Sequence, residues 1–348
     1  MMKNRVFAIL AAAAVISISG SALAANKRVR TPYYSAVAVE AETGRVLVAD
    51  RAREAGYPAS VTKLMTFLLY LEKIERGEVN LSDKVYVSEE AQKIGGRQVW
   101  LEANEIFTIE EMFYALMIHS ANDVARALAL HTCPTRDAFV AQMNARAQQL
   151  GMFGARYVTE SGLPPGGGKE PDTANAMDIS ILAREVLKHP LALRFSGTKY
   201  ITFRNGTMDL RSSNKLLGVY PGLDGLKTGY HGLGGWSIAT TAERDGERIV
   251  AVVLGSPDRK TRDRAATLLM DKAFTKLAEI RATEPKPAPV IEPVQAEPIA
   301  EEVPVQEEVV EEAPAKPRGG RWVVISAVLL IAVGAVGLLR PKEKSEDL

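Results

Sequence analysis

The stretch W-S-I-A-T-T-A-E-R-D-G-E-R-I-V-A-V-V-L-G, at residues 236–255, decides the fold class. Two runs rich in β-branched and aliphatic residues, 236–241 and 248–255, stand on either side of a polar segment at 243–246 that ends in Asp-Gly. Strand-forming runs separated by such a short polar turn predict an antiparallel hairpin. Residues 236–255 therefore form two strands, and the strands that pair with them must lie earlier in the chain.

A second hairpin is predicted near the start, where polar and apolar residues alternate at 35–40 and 45–50 around a turn at 42–44. Helical patterns lie between the two hairpins, at 61–74, from the capping box Thr108-x-x-Glu111 onward, and at 121–131, 136–150 and 177–187. An amphipathic helical pattern at 261–279 follows the second hairpin. This order predicts an α+β fold. We expect one antiparallel sheet with strands from both ends, flanked by N- and C-terminal helices, and a mostly helical subdomain.

The composition excludes several classes of function. The 348 residues carry a net charge of +1, and residues 25–282 carry only +4, which is no nucleic-acid footprint. Cys133 is the one cysteine, so an intramolecular disulfide, a cysteine-based zinc site and an iron–sulfur cluster are excluded. The four histidines show no metal-ligand spacing. We predict a domain at 25–282 that needs no metal and no cofactor.

The two ends of the chain have membrane-related composition. Residues 1–24 predict a cleaved signal peptide, with two basic residues, an apolar run and Ala-Leu-Ala before the cleavage site. An uncleaved N-terminal anchor is the alternative. Residues 318–348 contain a charge-free run at 322–339, which as a helix is about 27 Å long and long enough to span a membrane. We expect a single-pass protein of the inner (cytoplasmic) membrane, with 25–282 outside the cytoplasm and a short cytoplasmic tail.

Residues 283–317 connect the central region to this predicted anchor. They include eight Pro and nine Glu, a composition that cannot bury enough apolar surface to fold. Proline and like charge extend such a chain, so we predict a disordered tether. Whether its length has a function is left open.

Ser60-Val61-Thr62-Lys63 is the first motif that carries chemistry. A serine hydroxyl is a weak nucleophile and needs a base within hydrogen-bond reach, and a lysine one helical turn later lies on the same helix face. That lysine must be desolvated, or lie near other cations, to act as a neutral base. The pattern is weak alone, because Ser196-x-x-Lys199 and Ser212-x-x-Lys215 also match it. We expect those two in exposed loops or at strand edges.

Two further motifs follow in the chain. Ser120-Ala121-Asn122 lies in a break between two predicted helices. Its hydroxyl and amide are suited to proton relay and to holding a carbonyl, although a helix cap is the favoured explanation when the motif is taken alone. Lys227-Thr228-Gly229 occurs once, and its lysine and threonine are suited to a carboxylate, while the glycine allows a substrate backbone along a strand edge.

The order of these motifs is that of the penicillin-binding proteins and class A β-lactamases. The longer segments 58–66, 120–123 and 224–229 resemble the serine D-alanyl-D-alanine carboxypeptidases, the low-molecular-mass penicillin-binding proteins. Residues 161–164, 173–174 and 214–217 support the resemblance, which covers about 32–280. It implies a β-lactamase/transpeptidase-like fold, with peptidoglycan stem peptides as substrate and β-lactams as covalent inhibitors. A β-rich second domain, present in many relatives, is expected to be absent.

The resemblance also implies roles for individual residues. Ser60 would be acylated, with Lys63 as its base. Ser120 would pass a proton to the leaving amine, and Asn122 would bind a substrate carbonyl. The terminal carboxylate and the oxyanion would be held at Lys227, Thr228, Gly229, Tyr230 and Arg262, the last chosen over its neighbours Arg259 and Arg264.

Several alternatives remain open on the sequence. The same residues suit a D,D-endopeptidase, although Tyr230-His231, bulkier than the pair usual in the family, predicts a narrow leaving-group side. A β-lactamase needs an acid for its deacylating water, and only Glu160 and Glu170 are near a motif. A peptidoglycan-binding scaffold without activity is the non-enzyme alternative. A triad of Ser120 with His119 and Asp123 is disfavoured, because adjacent residues do not face one another on a helix.

Overall fold

A five-stranded antiparallel sheet organises the computed structural model, which describes residues 27–283. The sheet order is β2-β1-β9-β8-β7, so the first and last strands of the chain meet at its centre, as the sequence predicts. The strands are β1 (Ser35–Glu40), β2 (Val46–Asp50), β3 (Lys84–Tyr86), β4 (Ile106–Thr108), β5 (Tyr200–Phe203), β6 (Met208–Arg211), β7 (Leu223–His231), β8 (Gly235–Arg244) and β9 (Glu247–Ser256). The pairs β3–β4 and β5–β6 form two small separate sheets.

The helices follow the predicted patterns closely. They are α1 (Lys63–Glu75), α2 (Glu89–Gln92), α3 (Ile109–Tyr114), α4 (Asn122–Thr132), α5 (Arg136–Gln149), α6 (Ala176–Leu187), α7 (Ala192–Ser196) and α8 (Arg259–Thr283). The capping box of Thr108 and Glu111 is present in full at the start of α3. A 3-10 turn at Ala59–Thr62 precedes α1, so the α-helix begins at Lys63 rather than at Val61, where the predicted helix 61–74 begins.

The sheet has a core on each face. Because successive strand residues point to opposite faces, Val37 and Val252 pack towards the helical subdomain, whereas Ala38 and Val253 pack towards α8. Every residue of α1 from Lys63 to Leu71 is buried, which explains why that helix is apolar around most of its circumference. The α+β prediction with flanking helices is confirmed.

Strand β7 is the strand of the five-stranded sheet that the hydrophobic pattern does not reveal. It contains two glycines together with aspartate and lysine, residue types that are depleted in strands. It is nevertheless nine residues long and forms the edge of the sheet opposite β2. Within the described range, no helix is long and apolar enough to cross a membrane. The predicted signal peptide (1–24), all but the first residue of the tether (283–317) and the anchor (318–348) lie outside the described residues.

Candidate active site

Ser60 is held in the 3-10 turn that leads into α1. The preceding Ala59 has φ 51°, a left-handed conformation that costs a non-glycine residue energy and recurs at functional sites. The turn is tightly supported from one side, since a Cβ added at Gly162 would lie 1.9 Å from the Ala59 carbonyl oxygen. A Cβ added at Gly229 of β7 would lie 2.5 Å from the Pro58 carbonyl oxygen. Glycine at both positions therefore allows two segments to pass against the serine turn.

Lys63 is fully buried beneath Ser60. Its Nζ lies 3.0 Å from Ser60 Oγ, 2.7 Å from Asn122 Oδ1 and 2.7 Å from the Ser161 carbonyl oxygen. Desolvation lowers the pKa of Lys63 to about 7, although the carboxylates of Glu160 and Asp172 act in the opposite direction. A substantial fraction of this amine is therefore neutral near pH 7.

The three contacts of Lys63 fit a neutral amine. A neutral lysine has two N–H donors and one lone pair, while its partners at Asn122 and Ser161 are carbonyl oxygens that only accept. In the neutral amine both N–H groups are thus used and the lone pair is left for the Ser60 hydroxyl proton, whereas in the ammonium form the third N–H donates to Ser60 Oγ. The arrangement is that of a base already aimed at a nucleophile.

Ser120 and Asn122 come from the break that the sequence predicts. A π-helical turn at Ala115–His119 ends at Ser120, which has φ 68°, and α4 begins at Asn122. Neither side chain caps α4, because its N-cap residue is Ala121 and no side-chain cap bond is present. The motif therefore supplies no side-chain cap to α4, although Ser120 is the C-cap residue of the π-helical turn, as the helix-cap alternative expects. Asn122 Nδ2 instead donates to the Gly95 carbonyl at 2.9 Å, and its Oδ1 is held by Lys63.

Lys227 brings the third motif to the same place. Its Nζ donates to Ser120 Oγ at 2.8 Å and to the Thr228 carbonyl at 3.1 Å. Burial lowers the pKa of Lys227 well below its usual value, with further lowering from the nearby charges of Lys63, Arg97 and Arg262. Thr228 Oγ1 lies 2.8 Å from Ser213 Oγ.

These side chains meet at one cleft of about 550 Å³. The predicted site residues in its wall are Ser60, Ser120, Asn122, Thr228, Gly229, Tyr230 and Arg262, with Lys63 and Lys227 buried behind them. The choice of Arg262 fits the geometry, because it is 1% exposed and lines the cleft, with Nε bonded to Asp263 at 2.9 Å. Arg259 also lines this cleft, whereas Arg264 lines a different groove.

Tyr230 and His231, the two bulky residues after the third motif, lie in different environments. Tyr230 is 55% exposed and packs on Trp236, with ring centroids 4.5 Å apart. His231 is buried against Tyr57, with centroids 5.4 Å apart, and burial lowers its pKa. Only Tyr230 projects from the rim, so the predicted narrowing rests on that side chain.

The repeated motifs differ from expectation. Ser196 ends α7 and is 3% exposed, so the expectation of an exposed loop or a strand edge is wrong there. Ser212 directly follows β6, in line with the strand-edge expectation, but it is only 8% exposed. They are buried because neighbouring strands and helices pack over them, which short motifs do not encode. The motif Ser212-x-x-Lys215 lies in the cleft wall beside Thr228. It includes Ser213, a cleft residue that was not predicted from the sequence.

The alternative acids and the alternative triad are placed elsewhere. Glu160 is fully buried in an ion pair with Arg126, and Glu170 lies 3.5 Å from the Tyr57 hydroxyl. Neither lines the cleft. The Asp123 carboxylate accepts backbone N–H groups, including that of Leu101 at 3.0 Å, and is used in holding a loop. Among residues 27–283, no group of three or more potential ligands is placed to hold a metal ion.

Comparison with known proteins agrees with this geometry. The family model described as D-alanyl-D-alanine carboxypeptidase, peptidase S11, matches residues 24–258. This chain belongs to that family. The carboxypeptidase DacF of Bacillus subtilis is 36% identical over 244 residues, which cover 69% of this chain and 62% of the relative. DacB2 of Mycobacterium tuberculosis is 28% identical over 64% of this chain and 75% of its own length.

Solved structures of penicillin-binding proteins share the fold. Penicillin-binding protein D2 of Listeria monocytogenes in its ampicillin-bound form is 28% identical, with a TM-score of 0.64 over 70% of this chain and 97% of that one. Penicillin-binding protein 3 of Streptococcus pneumoniae is 31% identical, with a TM-score of 0.65 over 70% of this chain and 74% of that one. The family resemblance and the transpeptidase-like fold predicted from the sequence are thereby confirmed. The match with DacF, like that with DacD of Salmonella typhimurium, spans only about 60% of the relative's length.

Proposed function

We propose that this chain is a serine D,D-carboxypeptidase that removes the terminal D-alanine from peptidoglycan stem pentapeptides. The observation that carries the proposal is the Lys63 amine, which is buried, depressed in pKa to about 7 and 3.0 Å from Ser60 Oγ. A base with a pKa near the working pH is the condition for efficient general base catalysis. Family membership and the ampicillin-bound relative support the same conclusion.

The reaction begins with proton transfer from Ser60 to Lys63 as the serine oxygen attacks the penultimate D-Ala carbonyl. Backbone N–H groups of Ser60 and Tyr230 serve as the oxyanion hole, where fixed donors stabilise the developing negative charge. The tetrahedral intermediate collapses with cleavage of the peptide bond. Ser120, fixed by Lys227 at 2.8 Å, passes the proton taken up by Lys63 to the leaving D-Ala amine. Water then attacks the Ser60 ester and gives a proton to Lys63. Lys63 returns that proton to Ser60 Oγ as the ester bond breaks, and the shortened peptide leaves with a free carboxyl group.

Substrate recognition is assigned to the other side of the cleft. Thr228 and the cations Lys227 and Arg262 bind the terminal carboxylate, in a charge-assisted contact. Asn122 binds the carbonyl of the acyl part of the peptide. β-Lactams enter as mimics of the D-Ala-D-Ala end and acylate the same serine.

We also propose that the domain acts outside the cytoplasm at the inner membrane of a bacterial cell. Support comes from composition alone: the signal-like residues 1–24, the Pro- and Glu-rich residues 283–317 and the charge-free run at 322–339. Protease treatment of spheroplasts should release an active soluble fragment by cutting within 283–317. Full protection would show the opposite orientation.

The activity is tested with the purified protein and two substrates. A defined pentapeptide and a crosslinked peptide dimer are incubated side by side, and the products are identified by mass spectrometry. We expect loss of one D-alanine from the pentapeptide, and no loss with Ser60→Ala. Faster cleavage of the dimer would instead show an endopeptidase. Fluorescent penicillin should label the Ser60 peptide, and a label on the Ser196 or Ser212 peptide would refute the assignment of the nucleophile.

A further inference from the structure

The cleft wall carries more positive charge than one carboxylate requires. Its described lining residues include five cations and no aspartate or glutamate: Arg97, Arg211, Lys215, Arg259 and Arg262. Arg262 forms an ion pair with Asp263. Within residues 27–283, the other four have no carboxylate partner within 4.0 Å. A cleft lined with positive charges concentrates and orients an anionic ligand.

Most of these cations lie beside the site proposed for the terminal carboxylate. Arg211 and Lys215 flank Ser213, whose hydroxyl contacts Thr228 at 2.8 Å. Arg259 is one helical turn before Arg262 at the start of α8. These residues therefore contribute positive charge beside the terminal carboxylate of the substrate.

Arg97 is placed differently, because its loop is fixed at Asn122. The Arg97 carbonyl accepts the Asn122 backbone N–H at 2.7 Å, and the Gly95 carbonyl accepts Asn122 Nδ2 at 2.9 Å. Asn122 is the residue assigned to the acyl part of the peptide, on the far side of the scissile bond from Thr228. The Arg97 side chain is exposed and lines the cleft. Its positive charge contributes to lowering the pKa of both Lys63 and Lys227.

We propose that Arg97 binds a second carboxylate of the substrate, carried by the residue that precedes the two terminal D-alanines. The inference rests on the proposed function and adds a substrate class to it. A side chain at that position ending in a carboxylate forms a charge-assisted contact with the guanidinium, whereas one ending in an amine is repelled. The cleft accordingly selects stem peptides with an acidic group before D-Ala-D-Ala.

The test compares two tripeptides that differ in one side chain, acetyl-L-Glu-D-Ala-D-Ala and acetyl-L-Lys-D-Ala-D-Ala. With the wild-type protein we expect kcat/KM to be about tenfold higher for the acidic peptide, the size of a partly exposed charged hydrogen bond. Raising the salt concentration should reduce the preference, since exposed charges are screened. Arg97→Gln should abolish the preference, and Arg97→Glu should reverse it, while Arg97→Lys retains it.

Arg264→Gln is the matched control, because it removes the same charge from a residue that does not line the cleft. Its ratio of kcat/KM values should equal that of the wild type. Equal rates for the two peptides with the wild-type protein, or an unchanged preference in Arg97→Gln, would overturn the inference and leave the carboxypeptidase intact. Hydrolysis of neither peptide by protein that penicillin still acylates would overturn the proposed function together with the inference. Should Arg97→Gln fail to fold, Arg97→Glu decides the question, because a retained preference for the acidic peptide in that variant would overturn the inference.

Discussion

The pH dependence of acylation tests the central assignment, because Lys63 must be neutral to accept the Ser60 proton. With a pKa of about 7, roughly half of the Lys63 amines are neutral at pH 7 and about 1% at pH 5. The second-order rate of acylation by penicillin should therefore rise about 100-fold from pH 5 and level off above pH 8. A lysine with the ordinary value of 10.5 would be only about 0.03% neutral at pH 7.

The assay is stopped-flow fluorescence with a labelled penicillin, at constant ionic strength. Lys63→Arg should lower the rate by about 10²- to 10⁴-fold, because a guanidinium stays protonated throughout this range. Lys93→Arg is the control, since Lys93 lies at the surface in an ion pair with Glu89. A rate that is flat between pH 5 and 8, or that rises only towards pH 10, would refute the assignment of Lys63 as the base.

Three further perturbations test the site and its support. Gly162→Ala should lower penicillin acylation at least ~100-fold by displacing Ala59 and the serine turn, whereas Gly166→Ala, which has a similar positive φ but open space, should acylate normally. Ser213→Ala should lower kcat/KM for the pentapeptide about fivefold, mainly through KM, with an unchanged unfolding temperature; a lowered unfolding temperature would show a structural role instead. Arg126→Met should cost about 3–5 kcal/mol of unfolding free energy in a denaturant titration, since it leaves Glu160 buried without its partner. A loss below 1 kcal/mol would contradict that reading.

The sequence predicts those parts of the molecule that depend on local patterns. Helix α1 is recognisable because its apolar residues are nearly continuous, and α3 because Thr108 and Glu111 form a local capping box. The two hairpins follow from alternation around turns. The three motifs identify Ser60 and Lys63 because their spacing and order survive in the linear chain.

Other features depend on contacts between distant segments. Ser213 reaches Thr228 across fifteen positions, and Lys227 reaches Ser120 across 107, so neither pair is visible as a pattern. Arg97 is in a loop without periodicity, and its place in the cleft follows from a backbone bond to Asn122. Strand β7 was missed because pairing with β8 overrides the weak strand preference of its glycines.

The central position of β9 has a consequence for how the domain is made. During synthesis, β1 emerges together with its neighbour β2, but more than two hundred residues before β9, the other strand that pairs with β1, so no early segment can complete the sheet. Such long-range pairing makes folding slow relative to helical proteins of similar size. A chain that ends before Glu247 contains all three motifs, yet lacks the strand that joins β1 to β8. Antibiotic binding should therefore appear abruptly with chain length, once the last hairpin is complete, and would report the moment of folding.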